Sequence, residues 1–286
     1  MVILASQLLE TQGLSTVTRS ILSFCEFLDE KGAWEWNHRT IALLTAAFLL
    51  LIRKTMGKKW GVDWYALTHA IVSALGSIAC SYLDVFASET LTGTPEPLRS
   101  CLCAGPLTSL HKILPAITMG YSLFDLFDGM TIGVDFMLHG LATLAVMAFF
   151  LETGTPNFIT PMLLMEASTP FLTIVRAEFF TPMMAAANQA IFMLAFFAFR
   201  IVITPYLWYQ IMVNMFKLLK TKEFQECFPW YFMPVCLAFG MFFNCLNGYW
   251  FIKIVKKARR KILGIEHIKA NNDLDEAELK HSKKNA

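Results

Sequence analysis

The chain has 286 residues, of which 56% are hydrophobic and only 16% are charged, so it has too few polar side chains for one or two soluble domains. Its formal net charge of +2 conceals two basic clusters, at 53–59 and 253–261. Both clusters flank apolar runs, which is typical of a membrane boundary and argues against nucleic-acid binding. The composition predicts a polytopic membrane protein.

The N-terminal residues 1–35 mix apolar and polar side chains, with apolar residues three or four positions apart. This spacing predicts an amphipathic helix at the membrane interface. The segment lacks a basic stretch, an apolar core and a small-residue cleavage site in that order, so we do not expect a cleaved signal peptide.

A transmembrane bundle is predicted over residues 36–256, followed by a basic and then polar tail over 257–286. Seven apolar stretches should cross the membrane, which makes the fold all-α. They cover residues 36–52, 65–86, 107–127, 132–151, 162–175, 183–208 and 230–252, with a polar loop over 87–106. The stretch 162–175 is short and contains Pro170, so it is predicted to be either a kinked span or one shielded by its neighbours. Arg200, in the sixth stretch, is predicted to snorkel.

The basic flanks predict the orientation of the bundle, because cytoplasmic loops carry an excess of Lys and Arg. Seven crossings put residues 53–59 and the C-terminal tail on one side, which we assign to the cytosol, with a lumenal N-terminus. Three lysines, Lys217, Lys220 and Lys222, fall on the lumenal side in this arrangement, but the two cytosolic clusters outweigh them.

The tail ends with Lys283-Lys284-Asn285-Ala286, which resembles the dilysine retrieval signal of endoplasmic reticulum membrane proteins. Such a signal is read by a vesicle coat in the cytosol, where the basic flank independently puts the tail. The alternative is a solvated, lysine-rich tail without an address. We expect retrieval to the endoplasmic reticulum.

Ionisable residues inside the apolar stretches mark the candidate site, because a charge at the centre of a bilayer costs roughly 2.5 kcal/mol or more. His139 lies one helical turn after Asp135, so the two side chains share a helix face. A neutral imidazole beside a carboxylate can act as a nucleophile or general base. The alternative for His69 is a packing role, and Asp125 could instead cap the end of its span. For Asp135 the favoured alternative is a buried pair that fixes helix packing or an acidic residue that starts a helix at the membrane edge.

Four motifs in order resemble the TLC-domain family, which includes ceramide synthases and the translocon-associated TRAM proteins. They are Thr68-His69-Ala70, Gly120-Tyr121-Ser122-Leu123-Phe124-Asp125, His139-Gly140-Leu141-Ala142-Thr143 and Glu166-Ala167-Ser168-Thr169-Pro170-Phe171. The resemblance covers about residues 60–255 and is closest to the small members that are not ceramide synthases. It implies His139 and Glu166 as catalytic candidates. It also implies a lipid cavity, for which our candidate residues are His69, Tyr121, Asp125, Asp135, Thr143 and Ser168.

One departure from the family pattern bears on catalysis. The family signature is a His-His pair followed by x-x-Thr, and here His139 and Thr143 are present but the second histidine is Gly140. In ceramide synthases the pair is linked to acyl transfer with neighbouring carboxylates, and this chain offers Glu166 without a second carboxylate beside it. The resemblance therefore extends to the fold more fully than to the catalytic set.

Three functional hypotheses follow from the residues and the resemblance. The first is a non-enzymatic protein of lipid homeostasis that binds membrane lipid in an intramembrane cavity. The second is an acyltransferase resembling ceramide synthase, with acyl-CoA or sphingolipid as a partner molecule, His139 as nucleophile or base and Glu166 or Asp135 as the carboxylate beside it. The third is a translocation accessory, for which the loops offer no peptide-binding surface. We expect no cofactor and no metal, because Cys101 and Cys103 lack a second pair of ligands.

Overall fold

The computed structural model describes residues 37–57, 59–92, 108–220, 225 and 228–262, together with three isolated positions at 23 and 27–28. The predicted amphipathic segment lies almost wholly outside this part of the chain. The predicted retrieval signal at Lys283 and Lys284 lies entirely outside it.

The described residues form helices joined by turns, which confirms the all-α membrane fold. Eight α-helices are present in them: α1 (His38–Thr55), α2 (Trp64–Thr92), α3 (Ser109–Ile132), α4 (Val134–Glu152), α5 (Thr169–Thr173), α6 (Pro182–Phe196), α7 (Thr204–Leu218) and α8 (Phe232–Ile262). Short 3-10 turns and one π-helical turn connect some of them. Within the described ranges, four stretches are long and apolar enough to span a bilayer: Lys59–Ser81, Val134–Glu152, Pro182–Lys217 and Phe232–Arg260.

Local sequence explains where these helices begin. The Asn37 side chain accepts a hydrogen bond from the Arg39 N–H at 2.9 Å and caps α1. Thr181 caps α6 through the Met184 N–H at 3.3 Å, and Pro182 follows at the first helical position, where its missing N–H costs nothing. The helix α2 continues to Thr92, so the loop predicted over 87–106 begins at least six residues later than expected.

Ion pairs between helix ends establish the directions of three helices. Arg53, in the last turn of α1, donates to Asp128 near the end of α3 at 2.6 Å, so α1 and α3 run the same way. At the opposite end of the bundle, Arg39 in the first turn of α1 pairs with Glu152, the last residue of α4, at 2.6 Å, so α4 runs antiparallel to both. We refer to these as the Arg53 end and the Glu152 end.

The fifth crossing is made mainly of 3-10 turns. The 3-10 segment Pro161–Ser168 leads into α5, and the Ser77 hydroxyl of α2 donates to the Pro161 carbonyl at 3.3 Å. Farther along, the Asp63 N–H donates to the Thr173 carbonyl at 3.2 Å. About 14 residues separate Asp63 from Ser77, or about 21 Å along α2. The segment therefore runs antiparallel to α2 across most of the bundle. Its side chains are buried, so of the two predicted forms it is the span that its neighbours shield.

Candidate functional site

A cavity lies between α2, α3, α4, the 3-10 crossing, α7 and α8. Six of the eight site residues predicted from the sequence line it: His69, Tyr121, Asp125, His139, Thr143 and Glu166. Their function stays a prediction. The other two, Asp135 and Ser168, lie outside the lining.

The cavity is polar at one end and apolar at the other. On α4, His139 and Thr143 line it toward the Arg53 end, whereas Val146, Met147 and Phe150 line it toward the Glu152 end. The other elements continue the apolar part with Phe158, Ile159, Met162, Leu163, Ile211 and Met212. A molecule that fits this surface has a polar group and an apolar tail.

His139 is paired with Asp125 across the α3–α4 hairpin. Its Nδ1 lies 2.8 Å from Asp125 Oδ2, and both side chains are mostly buried. The ring of Phe243 meets the imidazole edge-on, and Trp250 lies on another side with its ring centroid 5.2 Å away. The Asp125 carboxylate fixes the orientation of the imidazole through Nδ1. The other ring nitrogen, Nε2, does not contact this carboxylate.

The structure pairs His139 with Asp125 rather than with Asp135, for which the sequence favoured a role outside the site. The Asp135 carboxylate instead accepts hydrogen bonds from Trp250 Nε1 at 2.9 Å and Lys253 Nζ at 3.0 Å. Asp135 stands in the first turn of α4, where an acidic residue complements the positive end of the helix dipole. It ties α4 to α8 at the edge of the bundle.

Gly140 permits the close approach that forms the His139–Asp125 pair. A Cβ at position 140 would lie 2.8 Å from the Asp125 carbonyl carbon and 2.8 Å from Leu126 Cα, closer than side-chain atoms are found. Gly129 makes the reciprocal contact from α3, against the backbone at 136–137. Position 140 therefore has no room for a second imidazole in this packing.

His69 stacks on Tyr121 at the polar end of the cavity. The ring centroids are 3.8 Å apart and the planes differ by 1°. His69 Nε2 lies 3.0 Å from the Ser73 hydroxyl and 3.4 Å from the Thr118 hydroxyl. These contacts fix one nitrogen of the ring, while Nδ1 is buried without a partner among the residues that the structure describes.

Three further polar atoms of the cavity lining are buried and have no partner within the described ranges: Thr143 Oγ1, Trp208 Nε1 and Asn244 Oδ1. Buried polar atoms normally have a hydrogen-bond partner, from protein, water or ligand. Together with His69 Nδ1 they supply both donors and acceptors to whatever occupies the cavity.

Glu166 is paired with Arg200 inside the bundle. Arg200 Nη2 donates to Glu166 Oε1 at 3.0 Å, and the Thr169 hydroxyl donates to Oε2 at 2.7 Å. The other guanidinium nitrogens donate to the Met165 carbonyl, Ser168 Oγ and Asn247 Oδ1. Both charged side chains are buried, so each compensates the other. The prediction that Arg200 snorkels is wrong, and Ser168 serves this network.

Arg200 is the functional candidate that sequence reasoning missed. It stands in the π-helical turn Phe197–Ile203 between α6 and α7, a conformation found often at functional sites. It lies near the middle of the continuous helical stretch, and its side chain is buried and paired with Glu166 rather than extended toward an interface. The sequence did contain a signal for this candidate, because a charged residue in the middle of a long apolar stretch is rare and usually functional.

The sequence is similar to a known family and to two proteins of that family. The family model of the TLC domain matches residues 59–256. An uncharacterised TLC domain-containing protein of Schizosaccharomyces pombe is 25% identical over 251 residues, which are 80% of this chain and 81% of that protein. TLC domain-containing protein 4-B of Danio rerio is 29% identical over 227 residues, 72% of this chain and 75% of that protein. No solved structure matches the chain significantly.

Proposed function

This chain belongs to the TLC-domain family, and we propose that it binds an acyl lipid in its intramembrane cavity without changing the lipid chemically. Its role in this proposal is lipid homeostasis in the endoplasmic reticulum membrane.

The polarity of the cavity is the observation that carries the proposal. A lipid of the surrounding bilayer has one polar head and long apolar chains, and the lining offers polar groups at His139 and apolar side chains beyond Thr143. The helices around the cavity carry exposed apolar side chains on their outer faces, which suit contact with lipid, so in this proposal the ligand need not cross water to reach the cavity. The head group would contact His139, Asn244 and Thr143.

Acyl transfer is the second candidate function, and the His139–Asp125 hydrogen bond favours it. A carboxylate that orients an imidazole is a common device for activating a nucleophile or base. Two observations weigh against it: position 140 holds no second histidine, and Glu166 is occupied by Arg200 and Thr169. Robust transfer from acyl-CoA to a sphingoid base by the purified protein would decide in favour of the enzyme.

Replacing His139 with Ala is expected to lower the amount of copurified acyl lipid about threefold to thirtyfold. This range corresponds to a lost intramembrane hydrogen bond of about 0.6–2 kcal/mol. Native mass spectrometry of the protein in nanodiscs measures it, and the same spectra detect an acylated His139, which would support the transferase. His38→Ala is the matched control, because His38 pairs with Glu152 outside the cavity. Unchanged lipid in folded His139→Ala protein would contradict the proposal.

Residence in the endoplasmic reticulum through a vesicle coat is a separate part of the proposal. In a chain that ends at Ala286, the double mutant Lys283→Ser with Lys284→Ser is expected to move to the Golgi or beyond. Fluorescence imaging and fractionation of cell membranes measure its location. Lys269→Ser with Lys280→Ser removes the same charge from the tail and should leave the location unchanged. If both double mutants stay in the endoplasmic reticulum, the dilysine is not its address.

A further inference from the structure

The apolar end of the cavity is closed by aromatic rings in two layers. Phe150 from α4 and Phe158 from the 3-10 turn Pro156–Phe158 line the cavity, with ring centroids 6.1 Å apart. Behind them lie Phe228 and Phe232, whose centroids are 6.2 and 5.9 Å from that of Phe158. All four side chains are buried. An extended chain that enters from the polar end meets this floor and cannot pass it without moving packed rings.

The depth of the cavity can be measured along α4. Eleven residues separate His139 from Phe150, which is about 16 Å at the rise of an α-helix. That depth is close to half of a bilayer's hydrocarbon thickness of about 30 Å, the space that one acyl chain occupies in one leaflet. An extended chain advances about 1.3 Å per methylene, given C–C bonds of about 1.5 Å and near-tetrahedral angles. The lining on α4 is therefore as long as an extended chain of about 12 carbons.

We propose that Phe150 and Phe158 set the length of the acyl chain that this cavity accepts, with an optimum near that of a medium-long chain of about 12–14 carbons. This inference rests on the proposed lipid binding and adds the class of lipid to it. Shorter chains leave part of the apolar lining without contacts, and longer chains meet the rings. Each uncovered methylene forfeits burial of apolar surface, so the preference should have a definite maximum.

Phe150→Ala is expected to lengthen the bound chain by about two to four carbons. A phenylalanine ring occupies apolar surface equal to several methylenes, and the rings behind it limit how much of that space is gained. The protein is purified from cells, and the chains of the copurified lipid are measured by mass spectrometry after extraction. Phe158→Leu provides the same test but creates less new space and disturbs the packing less than Phe150→Ala does. It should lengthen the bound chain by about one or two carbons.

Val146→Phe tests the same inference with the opposite sign. Val146 lines the cavity one turn nearer to His139 than Phe150 does, so a ring there raises the floor by about 5.4 Å. We expect the bound chain to become shorter by about four carbons. Phe149→Ala is the control, because Phe149 belongs to the same ring cluster but does not line the cavity.

The two proposals fail in different ways. If the wild-type protein carries acyl lipid whose length distribution is the same in folded Phe158→Leu and Val146→Phe proteins, the floor does not set the length while lipid binding stands. If Phe149→Ala shifts the length as much as Phe150→Ala, the effect comes from loosened packing and the inference is overturned. If the wild-type protein carries no acyl lipid, the proposed function itself fails.

Discussion

An Arg200→Met protein is expected to lose about 3–5 kcal/mol of unfolding free energy, the usual cost of removing one partner of a buried ion pair. Methionine fills much of the same volume but leaves Glu166 without its guanidinium partner. It also removes the donors to the Met165 carbonyl, Ser168 and Asn247, which join the 3-10 crossing to α8. The midpoint of unfolding by SDS in mixed micelles measures the loss.

Two further variants distinguish the loss of the buried ion pair from a general effect of removing a positive charge. Arg39→Met removes an exposed partner of Glu152 and should cost far less than the loss of the buried pair. Arg200→Met combined with Glu166→Gln removes both charges and should recover about half of the loss or more. Equal losses for Arg200→Met and Arg39→Met would mean that the Arg200 guanidinium is solvated, against the structure.

Gly140→Ala should separate α3 from α4 and break the Asp125–His139 hydrogen bond. The new Cβ would collide with backbone atoms of α3, which cannot rotate away as a flexible side chain can. Overpacking of this kind typically costs about 1–3 kcal/mol, even though alanine favours the helix by up to about 1 kcal/mol over glycine. Gly140→His, which restores the family's histidine pair, should be worse and should not create acyl transfer. Unfolding midpoints and bound lipid are measured together.

The control for this prediction lies on α8. Apart from its own helix backbone, nothing in the described residues lies within 4 Å of a Cβ built at Gly248, so Gly248→Ala should leave both stability and bound lipid unchanged or slightly raise stability. Should Gly140→Ala behave like Gly248→Ala, the close α3–α4 packing would not be what holds His139 against Asp125.

The order of the crossings was predictable because apolar length is a local property of the sequence. The predicted limits of the fourth span, 132–151, nearly coincide with Val134–Glu152. The backbone form of residues 161–173 was not predictable, because it depends on shielding by α2 and its neighbours rather than on the residues themselves. Pro161 and Pro170 indicated only that a regular helix would be interrupted.

The partners of the site residues show where local reasoning stops. Spacing on a single helix suggested Asp135 for His139, since residues four apart share a face. The actual partner, Asp125, lies on the preceding helix, and the distance depends on two glycines that draw the backbones together. Which face of α3 meets which face of α4 is a property of the packed hairpin.

The 3-10 crossing has a consequence for how the protein is made. Its hydrogen bonds are poorer than those of an α-helix, and it carries Glu166, so it cannot enter lipid alone. The carboxylate gains its partner only when Arg200 arrives, 34 residues later in synthesis. Until α6 and α7 have been inserted into the membrane, residues 161–173 therefore need a polar environment or one lined by protein. Biogenesis of this protein should accordingly depend on a membrane insertase or chaperone that shelters one incomplete segment.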